Sequence, residues 1–306
     1  MSGARQRAGF AGHGKLAGMM RGPAMIKEAV TELGAGWRVS RKLTGGWNQG
    51  AYLVCRPGGE QAVLKCYAQD PERIAAAVPV IRAARGPGWP TPAWLATGTT
   101  RSGVAWVLQE FAAGERPRRI DDRLAALMVE VLEVQAGLGK LAGPGWSQWA
   151  WGTVFEDWGG LRATLRSRFP RGGEITAAVD AIASSCHAAP LSTADLVHGN
   201  FESGNTLQDG NRLWVIDAQG VSGGSRGYDL IEALMVGAAL GPATEAGLAR
   251  LWSYAETLPT RDLAICAGSV GLTFAEAFIR HGRLAEAPSA VPVLLGVLNQ
   301  SRSMIP

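Results

Sequence analysis

The sequence predicts an α+β protein of two lobes, a small antiparallel-sheet lobe followed by a mostly helical one. Three observations carry that expectation. Strand-like apolar runs separated by glycine-rich turns lie in the first third of the chain, at Leu43–Val54, Gln61–Tyr67 and Val104–Glu110. Helical periodicity dominates after Asp121. The chain has 306 residues with 47% hydrophobic content, enough to bury a sizeable core and to divide into two lobes.

Taken in order, residues 1–25 are rich in Gly, Ala and Arg and hold no apolar core of signal-peptide length, so they read as a flexible extension. Met19, Met20 and Met25 each offer a later start, and patterned sequence begins at Ile26. Leu43-Thr-Gly-Gly-Trp-Asn-Gln-Gly-Ala-Tyr-Leu-Val54 reads as strand, glycine turn, strand, and Gln61-Ala-Val-Leu-Lys-Cys-Tyr67 as a third strand. Asp70-Pro71-Glu72 opens a helix, with Asp as cap and Pro at the first position. Asp121 caps another, in which Leu124, Leu127, Met128, Val131 and Leu132 share one face. Trp146, Trp149, Trp151 and Trp158 then crowd a glycine-containing stretch read as a loop, an aromatic plug rather than a ligand wall. Helices are expected over residues 229–240, 244–258 and 261–281.

The net charge of +4 is mild, and Arg5, Arg7, His13, Lys15, Arg21 and Lys27 all precede the first acid, Glu28. The basic balance therefore belongs in part to the extension. No basic run with interleaved aromatics is present, so no nucleic-acid partner is expected. The four cysteines, Cys55, Cys66, Cys186 and Cys266, lack paired spacing, which speaks against zinc and for reduced thiols in a cytoplasm. No charge-free apolar run reaches the ~18 residues of a membrane span.

The chemistry concentrates in Leu196-Val-His-Gly-Asn-Phe-Glu-Ser-Gly-Asn205 and Trp214-Val-Ile-Asp217. A buried strand end, a tight turn at Gly199, an amide-bearing loop and a second apolar strand deliver Asn205 and Asp217 to one place. An Asn carbonyl and an Asp carboxylate suit Mg2+, which takes oxygen ligands and leaves several positions to phosphates and water. Asn205 and Asp217 are the candidate metal pair. Alone, His-Gly-Asn or Ile-Asp would be an ordinary turn or strand end. His198 reads as a loop brace rather than a catalyst, and Asp229 as an acid in a first helical turn.

The spacing resembles that of the aminoglycoside phosphotransferase family, whose kinase-like loop reads His-Gly-Asp, four residues, Asn, followed by a strand ending in Ile-Asp. The resemblance implies a two-lobed, protein-kinase-like fold over about residues 26–300, with a nucleotide-binding N-lobe at 26–115 and a helical C-lobe at 116–306 that carries the catalytic loop and acceptor pocket. It implies ATP and Mg2+ as cofactors and a small hydroxylated molecule as partner, plausible acceptors ranging from an aminoglycoside-type antibiotic to choline, homoserine or fructosamine types. In related kinases the loop Asp accepts the substrate proton while the loop Asn and the later Asp hold metal. Here the base position is Asn200. The resemblance further implies that Asp229 is the acid that braces the loop, and both readings of it can hold. Gly45 and Gly46 fall at the phosphate-covering turn, Lys65 at the phosphate-binding lysine, and Glu110 and Phe111 at the hinge whose backbone meets adenine. The helix acid that pairs the lysine in kinases would fall near Ala77, leaving Glu72 a weak substitute. Glu202, Glu232, Asp262 and Glu276 are available to an acceptor pocket without selecting a cationic acceptor over a neutral one.

A missing general base costs ~100 to 10,000-fold in rate. Three explanations stand side by side: a natural relative of low or no activity that still binds nucleotide, an engineered replacement, or a base supplied by Glu202.

Overall fold

The computed structural model describes residues 23–34, 36–43, 50–67, 71–186, 189–241 and 243–306. Gly45, Gly46, Asp70 and residues 1–22 of the expected extension lie outside them.

Helix α1 (Pro23–Leu33) precedes five strands: β1 (Arg38–Leu43), β2 (Ala51–Cys55), β3 (Gln61–Tyr67), β4 (Trp94–Thr99) and β5 (Ala105–Glu110). They form one antiparallel sheet in the order β1-β2-β3-β5-β4. Because strand side chains alternate between faces, the sheet has two coats. Leu64, Cys66, Trp106 and Leu108 pack with Met25, Ile26 and Ala29 of α1. Tyr67, Ala105 and Val107 pack on the other face with Ile74 of helix α2 (Pro71–Arg85). Lys65 lies between Leu64 and Cys66 and pairs in register with Val107, so it belongs to the α2 face.

The second lobe is helical around a β-hairpin core. Helix α3 (Asp122–Gln135) is capped as expected, Asp121 Oδ1 accepting Leu124 N–H at 2.9 Å, and all five predicted apolar positions are buried. The tryptophan stretch departs from expectation: it is helix α4 (Gly145–Phe155), with Trp146 and Trp149 in the core. A helix buried on most sides carries no amphipathic stripe to announce it. Its Gly152 makes room for the Trp158 ring, which lies 2.2 Å from where a Cβ would stand.

Helices α5 (Leu161–Arg168) and α6 (Gly172–Ser185) lead to strand β6 (Asp195–Val197), the hairpin β7 (Thr206–Asp209) and β8 (Arg212–Val215), and β9 (Ser222–Gly224), which pairs with β6. The three expected helices follow as α7 (Gly227–Ala239), α8 (Glu245–Ala255) and α9 (Thr260–Arg280). α9 is long and apolar enough to cross a membrane by length and composition, but 78% of its most apolar window is buried inside the fold. A last helix, α10 (Ala287–Ser303), packs on α6, α7 and α9; its Pro288 and Pro292 obscure the helical pattern in the sequence.

Candidate functional site

The hairpin brings the metal pair together. Thr206 to Asp209 oppose Val215 to Arg212 across a Gly210-Asn211 turn, and Ile216 N–H extends the ladder to Asn205 O at 2.9 Å. Asn205 and Asp217 therefore lie at the same end of the hairpin. The Asn205 amide nitrogen donates to Asn200 O at 2.9 Å, which leaves its Oδ1 as the free acceptor. Asp217 sits in the left-handed region at φ 65° and ψ 38°, a conformation that Asp tolerates better than most residues and that recurs at functional turns.

Lys65, 152 residues earlier, donates to Asp217 Oδ1 at 2.6 Å. The lysine is 7% exposed. Burial would raise the Asp217 carboxyl, but the charge and hydrogen bond of Lys65, with His198 and Arg116 beyond it, hold it below its ordinary value. Glu72 is exposed near the start of α2, and the position where a kinase acid would stand is the buried Ala77. The described ion pair of Lys65 is thus with the candidate metal ligand itself.

The loop between β6 and the hairpin is braced from α7. Asp229 Oδ2 accepts His198 N–H at 2.7 Å and the Gln135 side-chain amide at 2.8 Å, while its Oδ1 accepts Gly199 N–H at 2.8 Å. One turn on, Glu232 Oε2 accepts Phe201 N–H at 2.6 Å. Asn200, between these anchors, is exposed. Gly199 has φ 76°, and a Cβ there would stand 1.8 Å from the Trp146 ring, so only glycine fits. Trp146 Nε1 in turn donates to Gly220 O at 2.9 Å, tying α4 to the turn after Asp217.

His198 is a brace. It is 1% exposed, and because a carbonyl can only accept, its Nε2 carries the proton donated to Ile216 O at 2.9 Å. Burial lowers its pKa, against the opposing pull of Asp229, Ile216 O, Asp217 and the Asn200 backbone. The folded protein therefore holds His198 neutral where the unfolded chain takes up a proton, so its contribution is lost as pH falls through the unfolded value near ~6.5. On acidification from pH 7.5 to 5.5 the parent should lose more unfolding free energy than His198→Asn. Urea unfolding at the two pH values measures this; equal losses would refute it.

The remaining acids divide. Glu202 caps its own turn, Oε2 accepting Gly204 N–H at 2.8 Å. Asp262 accepts Ser192 N–H at 2.9 Å and pairs with Arg261 at 3.1 Å, and Glu276 pairs with Arg280 at 3.3 Å. At the hinge, Glu110 N–H donates to Ala93 O at 2.8 Å, and its carboxylate accepts Arg85 and Ala93 N–H, both at 3.1 Å. The hinge is thus fastened to the end of α2, while Phe111 is 37% exposed. Residues missed from sequence are Gln135, Trp146, Arg116 and the bracing role of Glu232. Only the last left a signal, an acid three residues from Asp229 on an otherwise apolar helix.

A model of the phosphotransferase enzyme family matches residues 30–264. No curated protein matches the chain in sequence. Among solved structures, aminoglycoside phosphotransferase APH(4)-Ia is similar at a TM-score of 0.66 and 15% identity, covering 92% of this chain and 98% of its own. The amicoumacin kinase hAmiN is similar at 0.61 and 11% identity, covering 90% and 93%. The macrolide 2'-phosphotransferase MphH from Brachybacterium faecium is similar at 0.57 and 15% identity, covering 89% and 98%. At these identities the likeness shows the fold, two-lobed and kinase-like. The family match spans most of the chain, and with it the chain belongs to the phosphotransferase enzyme family.

Proposed function

We propose that the protein is an ATP- and Mg2+-dependent O-phosphotransferase acting on a small hydroxylated molecule, with an aminoglycoside-type antibiotic as the first acceptor to test. The observation that carries this reading is the meeting of Lys65 and Asp217 at 2.6 Å beside Asn205, residues from both lobes converging on one point. The solved relatives are consistent with it: APH(4)-Ia has been seen with ADP and hygromycin B, and hAmiN with AMP-PNP, Ca2+ and its antibiotic.

The donor set fits a hard cation delivered with phosphates. Asn205 Oδ1 and Asp217 Oδ2 are both outside the hydrogen bonds described above, and no cluster of three or more His, Cys, Asp or Glu residues suited to a dedicated metal cage is found among the described residues. Mg2+ held there would neutralise charge on the phosphate oxygens. Lys65 supplies a second positive charge, on the sheet face shared with α2. By their place in the sequence Gly45 and Gly46 are assigned to the phosphates, and the backbone at Glu110 and Phe111 to adenine; since the Glu110 amide is engaged by Ala93, its carbonyl and the Phe111 backbone take that role. Asn200 marks the acceptor hydroxyl and orients it through its amide, which cannot take the proton. The lobes divide at about residue 115. No nucleic-acid or membrane partner is part of this reading, and the compartment is the cytoplasm.

A second reading, a nucleotide-binding pseudokinase, is favoured by Asn200 itself. A choline, homoserine or fructosamine-type acceptor fits the same site. Thermal or chemical unfolding with and without Mg-ATP tests the nucleotide site: at 100 times the dissociation constant the native state gains ~2.7 kcal/mol. The gain should disappear when EDTA removes the metal. Absence of any gain would sink the phosphotransferase reading, and a gain without turnover of any acceptor would favour the pseudokinase.

A further inference from the structure

We propose that Glu232 is the proton acceptor in this site, taking the role that Asn200 cannot fill. The inference rests on the phosphotransferase reading and concerns the one component that reading leaves without an owner. Glu232 stands on α7 one helical turn from Asp229, and the two carboxyls grip the loop on either side of Asn200: Asp229 holds the amides of His198 and Gly199, and Glu232 that of Phe201. Covalent geometry then bounds its position. With Oε2 at 2.6 Å from Phe201 N, that oxygen lies within about 5.5 Å of the Asn200 Cα, the atom from which a base side chain at this position would project.

Three further features separate Glu232 from a purely structural acid. It retains solvent-accessible surface although protein surrounds it. One hydrogen bond, from Phe201, engages Oε2, which leaves Oε1 as an acceptor. Its carboxyl is pushed well above the ordinary range by burial and then by the charges of Asp229 and Glu202, against the pull of Phe201 N–H. Tyr228 lies one helical turn before it on α7. Glu202, the nearer acid in sequence, has Oε2 engaged by Gly204 N–H.

In the transfer step the acceptor oxygen forms a bond to the γ-phosphorus. The bond from that phosphorus to the β,γ-bridging oxygen breaks, and its electron pair leaves with ADP. The acceptor proton passes to the Glu232 carboxylate and from there to water.

Turnover of Mg-ATP, with water and with hygromycin B as acceptors, tests the assignment in four proteins: the parent, Glu232→Gln, Asn200→Asp and the double variant. Gln keeps an oxygen for Phe201 N–H, so Glu232→Gln should stay folded and keep the stabilisation by Mg-ATP. Its turnover should fall ~100-fold or more, and Asn200→Asp should restore it in the double variant, since a new carboxylate replaces the lost one. Infrared spectra of protein carrying 13C-labelled glutamate should also show a protonated carboxyl persisting above the ordinary range in the parent and missing from Glu232→Gln. Turnover of Glu232→Gln equal to the parent, or a double variant that binds Mg-ATP but stays slow, overturns the proposal and leaves the phosphotransferase reading in place. A parent that binds Mg-ATP yet turns nothing over also overturns it. Failure of both the parent and Asn200→Asp to bind Mg-ATP removes the phosphotransferase reading itself.

Discussion

Asn200→Asp is expected to raise phosphoryl transfer ~100 to 10,000-fold, the range over which a positioned general base acts. The substitution is close to isosteric, and its site is prepared for it. Asn200 is exposed, its neighbours on both sides are held by Asp229 and Glu232, and its carbonyl is fixed by the Asn205 amide. No packing has to change for a carboxylate to replace the amide. Two features set where in the range the gain should fall. Phosphoryl transfer passes through a loose transition state in which positioning and charge neutralisation carry most of the catalysis. If Glu232 already takes the proton, the carboxylate introduced by Asn200→Asp would add a second acceptor, so the gain in the parent should lie toward the lower end and the full range should appear only in Glu232→Gln. Steady-state rates of ADP release with a panel of hydroxylated acceptors measure both. A variant that still binds Mg-ATP but, like the parent, turns over none of the panel would count against the enzyme reading for every acceptor in it.

Asp217→Asn should abolish the stabilisation by Mg-ATP and also weaken the ligand-free fold. Lys65 is buried beneath the sheet, and its described ion pair is with Asp217. Breaking a buried pair by removing one partner costs ~3–5 kcal/mol because the other charge is left without compensation. The Asp217 side chain is 25% exposed, so water can reach the orphaned ammonium and a loss of about 1–3 kcal/mol is expected. Lys65→Met combined with Asp217→Asn removes both charges, and the double variant should be less destabilised than the sum of the two singles. Urea unfolding of the four proteins measures the coupling. Strict additivity would mean that the 2.6 Å contact contributes nothing, and retention of the Mg-ATP stabilisation in Asp217→Asn would move the metal site elsewhere.

Asp217 thus has two partners in turn. Without nucleotide it is the counter-ion of Lys65; with nucleotide the proposed cation and phosphates come between them. The chain carries Ala77 where a kinase helix would present an acid to the lysine, and the ion pair described for Lys65 in the ligand-free protein is with Asp217, the proposed metal ligand.

What could be read in the sequence was what is local. Strands β2 and β3 follow from alternating and apolar runs, α3 from its Asp121 cap and one-face apolar spacing, and the proximity of Asn205 and Asp217 from a short hairpin whose covalent length allows little else. The same locality misled at α4. Its glycines and tryptophans lack an amphipathic period because the helix is enclosed by α9, α6 and β9, and enclosure is a property of the assembled lobe.

The sequence by itself determined the inventory of the site: an amide where a base is expected, an Asn and an Asp at metal spacing, and a Lys on a strand. Tertiary structure alone decided who meets whom. Lys65 finds Asp217 across 152 residues, Glu232 faces the loop while Asp262 and Glu276 face other partners, and Glu202 caps the turn at Gly204. The physical reason is that periodicity sets which side chains share a face, whereas the neighbour that face meets depends on how helices and sheet dock, and docking is chosen by the packing of the whole core.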